Sequence, residues 1–134
     1  MTYLLDTNIV VFCLRGKSPH AMRRLHAVPA VEVAIPLQAH AELLVGAARS
    51  TAPMQSKDRL LAFLSPFVVV CPDARVEEHY VAIRTDLEGR GLPISEADLW
   101  IAATARALGG AVVTNTVREF SRVASLRVED WTVS

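Results

Sequence analysis

The sequence is poor in lysine and in aromatic residues, and it has no excess of charge. Only Lys17 and Lys57 occur, aromatics make up 6%, and 14 Lys+Arg offset 14 Asp+Glu among 134 residues. Zero net charge excludes a polybasic protein held to nucleic acid by bulk electrostatics. A hydrophobic content of 51% excludes a charged, disordered tail. No apolar run approaches the roughly 20 residues a membrane span needs. The longest uncharged stretch, 60–72, is broken by Pro66 and ends on Pro72. Asp6 cuts short the apolar opening, and no basic region or small-residue cleavage site follows, so no export signal is expected. Cysteine is scarce too. Cys13 and Cys71 each sit in an apolar segment without metal-ligand spacing, and read as buried thiols of a reducing cytoplasm. The four histidines, His20, His26, His40 and His79, show no paired metal spacing.

What is present is an alternation of short Val- and Ile-rich runs with helical patterns. Residues 3–5 read as a strand, stopped by the polar set Asp6-Thr7-Asn8 that opens a helix over 8–14. Ser18 and Pro19 are placed as N-cap and first residue of a helix to about Ala27. A strand over 31–35, helices over 37–49 and 54–64, and an apolar strand over 67–70 follow. Asp73 opens a long helix to about Glu88, closed by Gly89-Arg90-Gly91. The Ala-rich segment 95–108 is a helix stopped by Gly109-Gly110; 111–114 is a fourth strand and 126–128 a fifth. Strands apolar on both faces and separated by helices predict one α/β domain over 1–134. Its parallel sheet of four to five strands should be covered by helices on both sides. In that class ligands gather at the carboxyl ends of the strands.

Four acids fall in places that ask for a reason. Asp6 follows the first strand directly, Asp98 lies in the first turn of the Ala-rich helix, and Glu119 follows the fourth strand by five residues. Glu42 interrupts an apolar helix, with Ala39 and Gly46 forming a small-sided stripe beside it. Capping explains some of this: Asp6 can cap its helix, and Ser95-x-x-Asp98 and Thr116-x-x-Glu119 have capping-box form. Glu42 has no such role. Were the acids to converge, each pair about 5 Å apart would repel by roughly 3 kcal/mol at an effective dielectric near 20. Such a cluster persists by taking up protons or a cation, and an all-oxygen set favours Mg²⁺ or Mn²⁺ over zinc.

The motifs carrying these acids are familiar in their order. Leu4-Leu5-Asp6-Thr7-Asn8 resembles the opening signature of PIN-domain ribonucleases. Ala41-Glu42-Leu43-Leu44-Val45-Gly46-Ala47 resembles their second motif and Ala97-Asp98-Leu99-Trp100-Ile101-Ala102-Ala103 their third. Val113-Thr114-Asn115 with Arg118-Glu119-Phe120-Ser121-Arg122-Val123 resembles the fourth. With the closing Val128-Glu129-Asp130-Trp131, the whole chain resembles the VapC toxins of bacterial VapBC toxin–antitoxin modules.

The resemblance implies a metal-dependent endoribonuclease that cuts tRNA or rRNA and leaves a 3′-hydroxyl and a 5′-phosphate. It assigns Asp6 and Asp98 as principal ligands of Mg²⁺ or Mn²⁺, with Glu42 and Glu119 completing the catalytic acids. Thr7 and Asn115 then orient carboxylates or water. Thr116 stands where many relatives carry Asn or Asp; it is expected to cap its helix and reach the site through water. Arg15, Lys17, Arg23, Arg24, Arg118 and Arg122 are the candidate RNA-holding cations, with Arg118 foremost because it sits inside a motif. Trp100 and Trp131 are expected in the core rather than as base-stacking platforms. Implied partners are an RNA substrate, a VapB-type antitoxin lying over the acids, and a second copy of the chain, with helices 18–27 and 54–64 as candidate surfaces.

Other classes fit less well. A haloacid-dehalogenase-type phosphatase needs a second Asp two residues after the first, where Asn8 stands. A receiver domain wants an early acidic pair and a late lysine, which this chain lacks. The alternative from another class is a PIN fold that binds RNA or protein without cutting; the joint presence of Asp6, Glu42 and Asp98 argues against it. Setting the four site acids aside leaves 14 bases against 10 acids. Neutrality overall is therefore compatible with local affinity for RNA.

Overall fold

Five short strands form the centre of the chain in a computed structural model that describes residues 1–133. They are β1 (Tyr3–Leu5), β2 (Val33–Pro36), β3 (Val68–Val70), β4 (Ala111–Val113) and β5 (Arg127–Glu129). All pair in parallel, in the order β3-β2-β1-β4-β5. The helices are α1 (Thr7–Leu14), α2 (Pro19–Ala27), α3 (Leu37–Ala48), α4 (Pro53–Leu64), α5 (Ala74–Gly89), α6 (Glu96–Leu108) and the short α7 (Val117–Phe120). The chain runs outward from β1 through β2 to β3, then back past β1 to β4 and β5; because parallel crossovers are right-handed as a rule, the two directions put helices on opposite faces. The α/β expectation holds.

The strand-to-helix boundaries follow local chemistry. Asp6 caps α1, accepting the Ile9 N–H at 3.0 Å, so the helix starts one residue earlier than the sequence pattern suggests. Ser18 caps α2 through the Ala21 N–H at 3.1 Å, ahead of Pro19 in the first turn. The second strand starts at Val33 rather than 31, because Ala30–Glu32 winds into a 3-10 turn after Pro29. Gly109 ends α6 with φ +65°, the left-handed conformation that glycine adopts without cost.

Burial grades from centre to edge. Leu4, Leu5 and every residue of β2 and β4 are buried, and Trp131 closes the core against Tyr3 with ring centroids 5.4 Å apart. Trp100 is half-buried and stacks on Tyr80 at 4.2 Å. Edge strand β3 behaves differently: Val68 and Val69 are 53% and 40% exposed. The expectation that both cysteines are buried is corrected here. Cys13 is buried, but Cys71 is exposed, because the apolar segment before it is the edge strand of the sheet, with no further strand beyond it among the described residues.

Two glycines give opposite expectations. A Cβ at Gly110 would stand 2.4 Å from the Thr2 carbonyl oxygen, the same atom that accepts the Ala111 N–H at 2.9 Å where β4 joins β1. Gly110→Ala is expected to destabilise by at least about 2 kcal/mol, by overpacking against backbone. At Gly46 on α3 a Cβ meets nothing within 4 Å, so the small-sided stripe beside Glu42 is open at Gly46, although Ala39 at its other end is buried in the core. Gly46→Ala is expected to stabilise by up to about 1 kcal/mol through helix propensity. Chemical denaturation of the two variants measures both.

Candidate active site

The sheet order reverses between β1 and β4, and in open parallel sheets the crevice at that reversal is where ligands bind. Here the Asp6 N–H donates to the Val113 carbonyl at 3.1 Å, fastening the carboxyl ends of the two strands together. Asp6 and Thr114 therefore emerge side by side. The Thr114 hydroxyl, fully buried, donates to Asp6 Oδ2 at 2.6 Å. Thr114 Oγ1 also accepts the Thr116 N–H at 2.9 Å and lies 2.9 Å from the Thr116 hydroxyl. The expected capping by Thr116 is corrected: α7 has no side-chain cap, because its would-be cap is engaged by Thr114.

Glu42 comes from the neighbouring connection, on α3 just after β2. It is exposed, and its Oε2 accepts the Thr7 hydroxyl at 2.5 Å. Asp98 comes from the first turn of α6, where its N–H donates to Ser95 Oγ at 3.2 Å. The Asp98 carboxyl hydrogen-bonds the Ser95 side chain as well as Glu119 from α7. The four acids form a series: Glu42 acts on Asp6, and both Asp6 and Glu119 act on Asp98.

The electrostatics show what this crowding costs. Burial raises the Asp6 pKa; the Thr114 hydroxyl and the Ile9 and Asn8 N–H groups oppose that, and the Glu42 charge adds to it. For Asp98, burial first and then the Glu119 hydrogen bond push the pKa from 3.8 to about 7 against an opposing Ser95 hydrogen bond, with the Glu119 and Asp6 charges contributing less. Two carboxyl groups in contact need a proton between them or a cation beside them.

The donors suit a hard cation. They are all oxygens, and Asn115 Oδ1, next to Thr114, is buried with no hydrogen-bond partner among the described residues. That oxygen asks for a donor or a cation. Among the described residues no three His, Cys, Asp or Glu side chains are already gathered closely enough to hold an ion. The acids meet as a linked series rather than as a closed cage.

Comparison with known proteins shows the family. The PIN-domain family matches residues 3–126. The chain is 35% identical over 131 residues to the tRNA(fMet)-specific endonuclease VapC of Shigella flexneri, covering 98% of each chain. The chain belongs to the PIN-domain family, among the VapC ribonucleases. This PIN domain is also 34% identical over 132 residues to ribonuclease VapC2 of Rickettsia felis, again covering 98% of each. Its fold is similar to that in the crystal structure of Rickettsia felis VapBC2 bound to a promoter DNA fragment, with TM-score 0.92, 33% identity and coverage of 98% and 99%. It is likewise similar to VapBC-1 from nontypeable Haemophilus influenzae, with TM-score 0.91, 30% identity and coverage of 99% and 100%.

Several candidate cations of the PIN domain are committed elsewhere. Arg24 pairs with Glu129 at 3.3 Å and lies over the Trp131 ring, Arg23 contacts His20 at 3.4 Å, and Lys17 sits 6.0 Å from the Phe12 ring centre. Arg122 donates to the Pro93 carbonyl at 3.0 Å. Arg118, exposed on α7, makes no ion pair among the described residues. Arg15 lines a groove of about 300 Å³ together with Thr7, Glu42, Gly46 and Arg59. That groove reaches the acid series through Thr7 and Glu42.

Sequence reasoning passes over Thr114, although it lies within the quoted fourth motif. The signal available was its position: a hydroxyl at the carboxyl end of β4, directly across from Asp6 at the end of β1.

Proposed function

We propose that this PIN domain is a Mg²⁺- or Mn²⁺-dependent endoribonuclease toxin that hydrolyses phosphodiester bonds in tRNA or rRNA and so inhibits translation. In this reading a VapB-type antitoxin keeps it silent. The observation that carries the reading is the acid series Glu42, Asp6, Asp98 and Glu119, assembled at the reversal of the sheet with its central members raised in pKa. The names of the VapC relatives support RNA as the substrate, and the VapBC complexes among its structural neighbours support the antitoxin.

Bound by Asp6 and Asp98, the divalent ion would supply Lewis-acid activation of a water and neutralise charge developing at phosphorus. The chain's own groups do the rest. Thr114 fixes the Asp6 carboxylate and keeps one oxygen satisfied, and Thr7 orients Glu42. Asn115 offers a buried carbonyl oxygen beside them. Asp98, its pKa raised to about 7 by burial and by Glu119, is the acid placed to take up or release a proton near neutral pH. Arg118 on α7 and Arg15 on the groove rim are the cations placed to meet backbone phosphates. We further propose a homodimer, with α2 and α4 as candidate faces.

The pH dependence has a definite sign. Asp98 must ionise to attract a cation, and its raised pKa of about 7 keeps it protonated below that value. Cleavage at subsaturating Mn²⁺ is expected to rise as pH increases from 6 to 8; a flat profile would show that Asp98 ionisation does not limit the reaction.

The function is tested by incubating antitoxin-free protein with total tRNA and rRNA in Mg²⁺, Mn²⁺ or EDTA and determining the chemistry of the new ends. Cleavage lost in EDTA, with 3′-hydroxyl and 5′-phosphate ends, is expected. Absence of cleavage in every condition would favour a binding module.

A further inference from the structure

We infer that Arg90 and Arg122 form a reciprocal clamp that positions the Asp98–Glu119 pair, so that Arg122 acts on the site through the backbone rather than by holding RNA. The clamp joins two segments distant in sequence. Arg122, in the turn that follows α7, donates from Nη1 to the Pro93 carbonyl at 3.0 Å. Arg90, at the C-terminal end of α5, donates from Nη2 to the Arg122 carbonyl at 2.6 Å, and the same nitrogen contacts Asp86 Oδ2 at 2.7 Å. Each segment therefore gives a guanidinium to a carbonyl of the other. Arg106 on α6 adds a third tether, donating to the Ala124 carbonyl at 3.1 Å while its Nε is 2.9 Å from His79 Nδ1.

The tethers lie close to the two acids along the chain. Pro93 precedes the α6 cap, Ser95, which is bonded to the Asp98 N–H. Arg122 is bonded to α7 through its own N–H, which donates to the Glu119 carbonyl at 3.2 Å. The α5–α6 loop thus leads into the first turn of α6, which carries Asp98, the turn at Arg122 follows α7, which carries Glu119, and the clamp crosses between them. Helix α7 has only four residues and no side-chain cap, so little within it fixes where Glu119 points. A planar guanidinium suits the task, because its donors keep a fixed geometry. Both arginines are spent on carbonyls, which leaves Arg122 poorly placed to meet a phosphate.

The inference rests on the nuclease reading above, and its test separates the two. Arg122→Gln and Arg90→Gln are titrated with Mn²⁺ by thermal shift and, independently, assayed for RNA cleavage with kcat and KM resolved. Arg75→Gln, an exposed charge on α5, controls for loss of a cation. Positioning groups behind metal ligands typically change metal affinity or activity by about 10–100-fold. The half-saturating Mn²⁺ concentration is therefore expected to rise about tenfold or more in both variants, with kcat reduced and the RNA KM little changed. Arg122→Lys, which keeps a donor for Pro93, should recover part of the loss. Because both variants break one clamp, the double variant should cost less than the two single effects combined.

A lowered melting temperature with unchanged Mn²⁺ dependence would overturn the inference and leave the clamp a purely structural strut. A raised RNA KM with unchanged Mn²⁺ dependence would overturn it in favour of RNA contact. Failure of the unmodified protein to respond to Mn²⁺ at all would overturn the nuclease reading and the clamp's role together.

Discussion

Replacing Asp98 by asparagine is expected to raise the melting temperature of the metal-free protein above pH 7. The reason is the cost of ionising a carboxyl held between Glu119 and Asp6. Its folded pKa is raised from 3.8 to about 7, so between those values the folded chain keeps a proton that the unfolded chain releases. Stability from this group therefore declines as pH rises from 4 to 7, and the full penalty is present above 7. An asparagine amide can donate to Glu119 as a protonated Asp98 does, and it carries no charge at any pH. The gain should be largest near pH 8 and fade towards pH 4. At this chain length each kcal/mol relieved is worth roughly 3–6 °C.

Mn²⁺ should reverse the order of the two proteins. A cation that binds only the folded state stabilises it by about 2.7 kcal/mol at a hundred times its Kd. The parent chain should gain that increment and Asp98→Asn should not. Thermal melts at pH 5 and 8, with EDTA or Mn²⁺, supply the comparison. An Asp98→Asn melting temperature below the parent's at pH 8 in EDTA would contradict the account of the site as crowded acids awaiting a cation.

The second large effect is expected at Thr114. Thr114→Val preserves shape but removes the hydroxyl that donates to Asp6 Oδ2 and accepts the Thr116 N–H. Leaving a buried polar group unsatisfied costs about 1–3 kcal/mol. Of the two groups released, the Asp6 carboxylate is buried and charged, which raises the cost, and the Thr116 N–H is partly buried. The expected loss of stability is therefore about 2–5 kcal/mol. The Thr114 bond also favours the ionised form of Asp6, so its removal raises the Asp6 pKa further. The rising limb of the pH–rate profile should move to higher pH, whereas Thr114→Ser should stay close to the parent. Urea melts and pH profiles of both variants measure this; a parent-like profile in a folded Thr114→Val chain would remove Thr114 from the site.

The sheet was the most legible feature of the sequence because burial on both faces writes itself as continuous apolar runs. This succeeded for β1, β2 and β4, whose residues are mostly buried, and misled at β3, which is apolar in composition but exposed at an edge. Composition does not reveal strand order, and the assignment of Cys71 to the interior failed for that reason.

At Asp6 the capping and site readings turn out to be compatible. One carboxylate oxygen caps α1 while the other meets Thr114. At Ser95 and Asp98 the cap accepts the Asp98 backbone N–H, while the Asp98 side chain meets both Ser95 and Glu119. At Thr116 the local pattern was overridden by a tertiary hydroxyl contact. The contacts that sequence could not show are long-range ones: Thr114 to Asp6 spans 108 positions, and the two clamp bonds span 32 and 29. Motif spacing places such residues near a strand end or a loop, but only the fold pairs them.

The central claim, that the acids at the sheet reversal assemble a divalent-cation-dependent RNA-cleaving site, is tested most directly by comparing tRNA cleavage by parent and Asp98→Asn proteins under the same Mn²⁺ concentration at pH 8. Both should be folded, the parent should cut, and Asp98→Asn should lose at least about a hundredfold in rate, the scale of removing a group that stabilises transition-state charge. Equal cleavage by the two proteins, or parent cleavage that persists in EDTA, would contradict it.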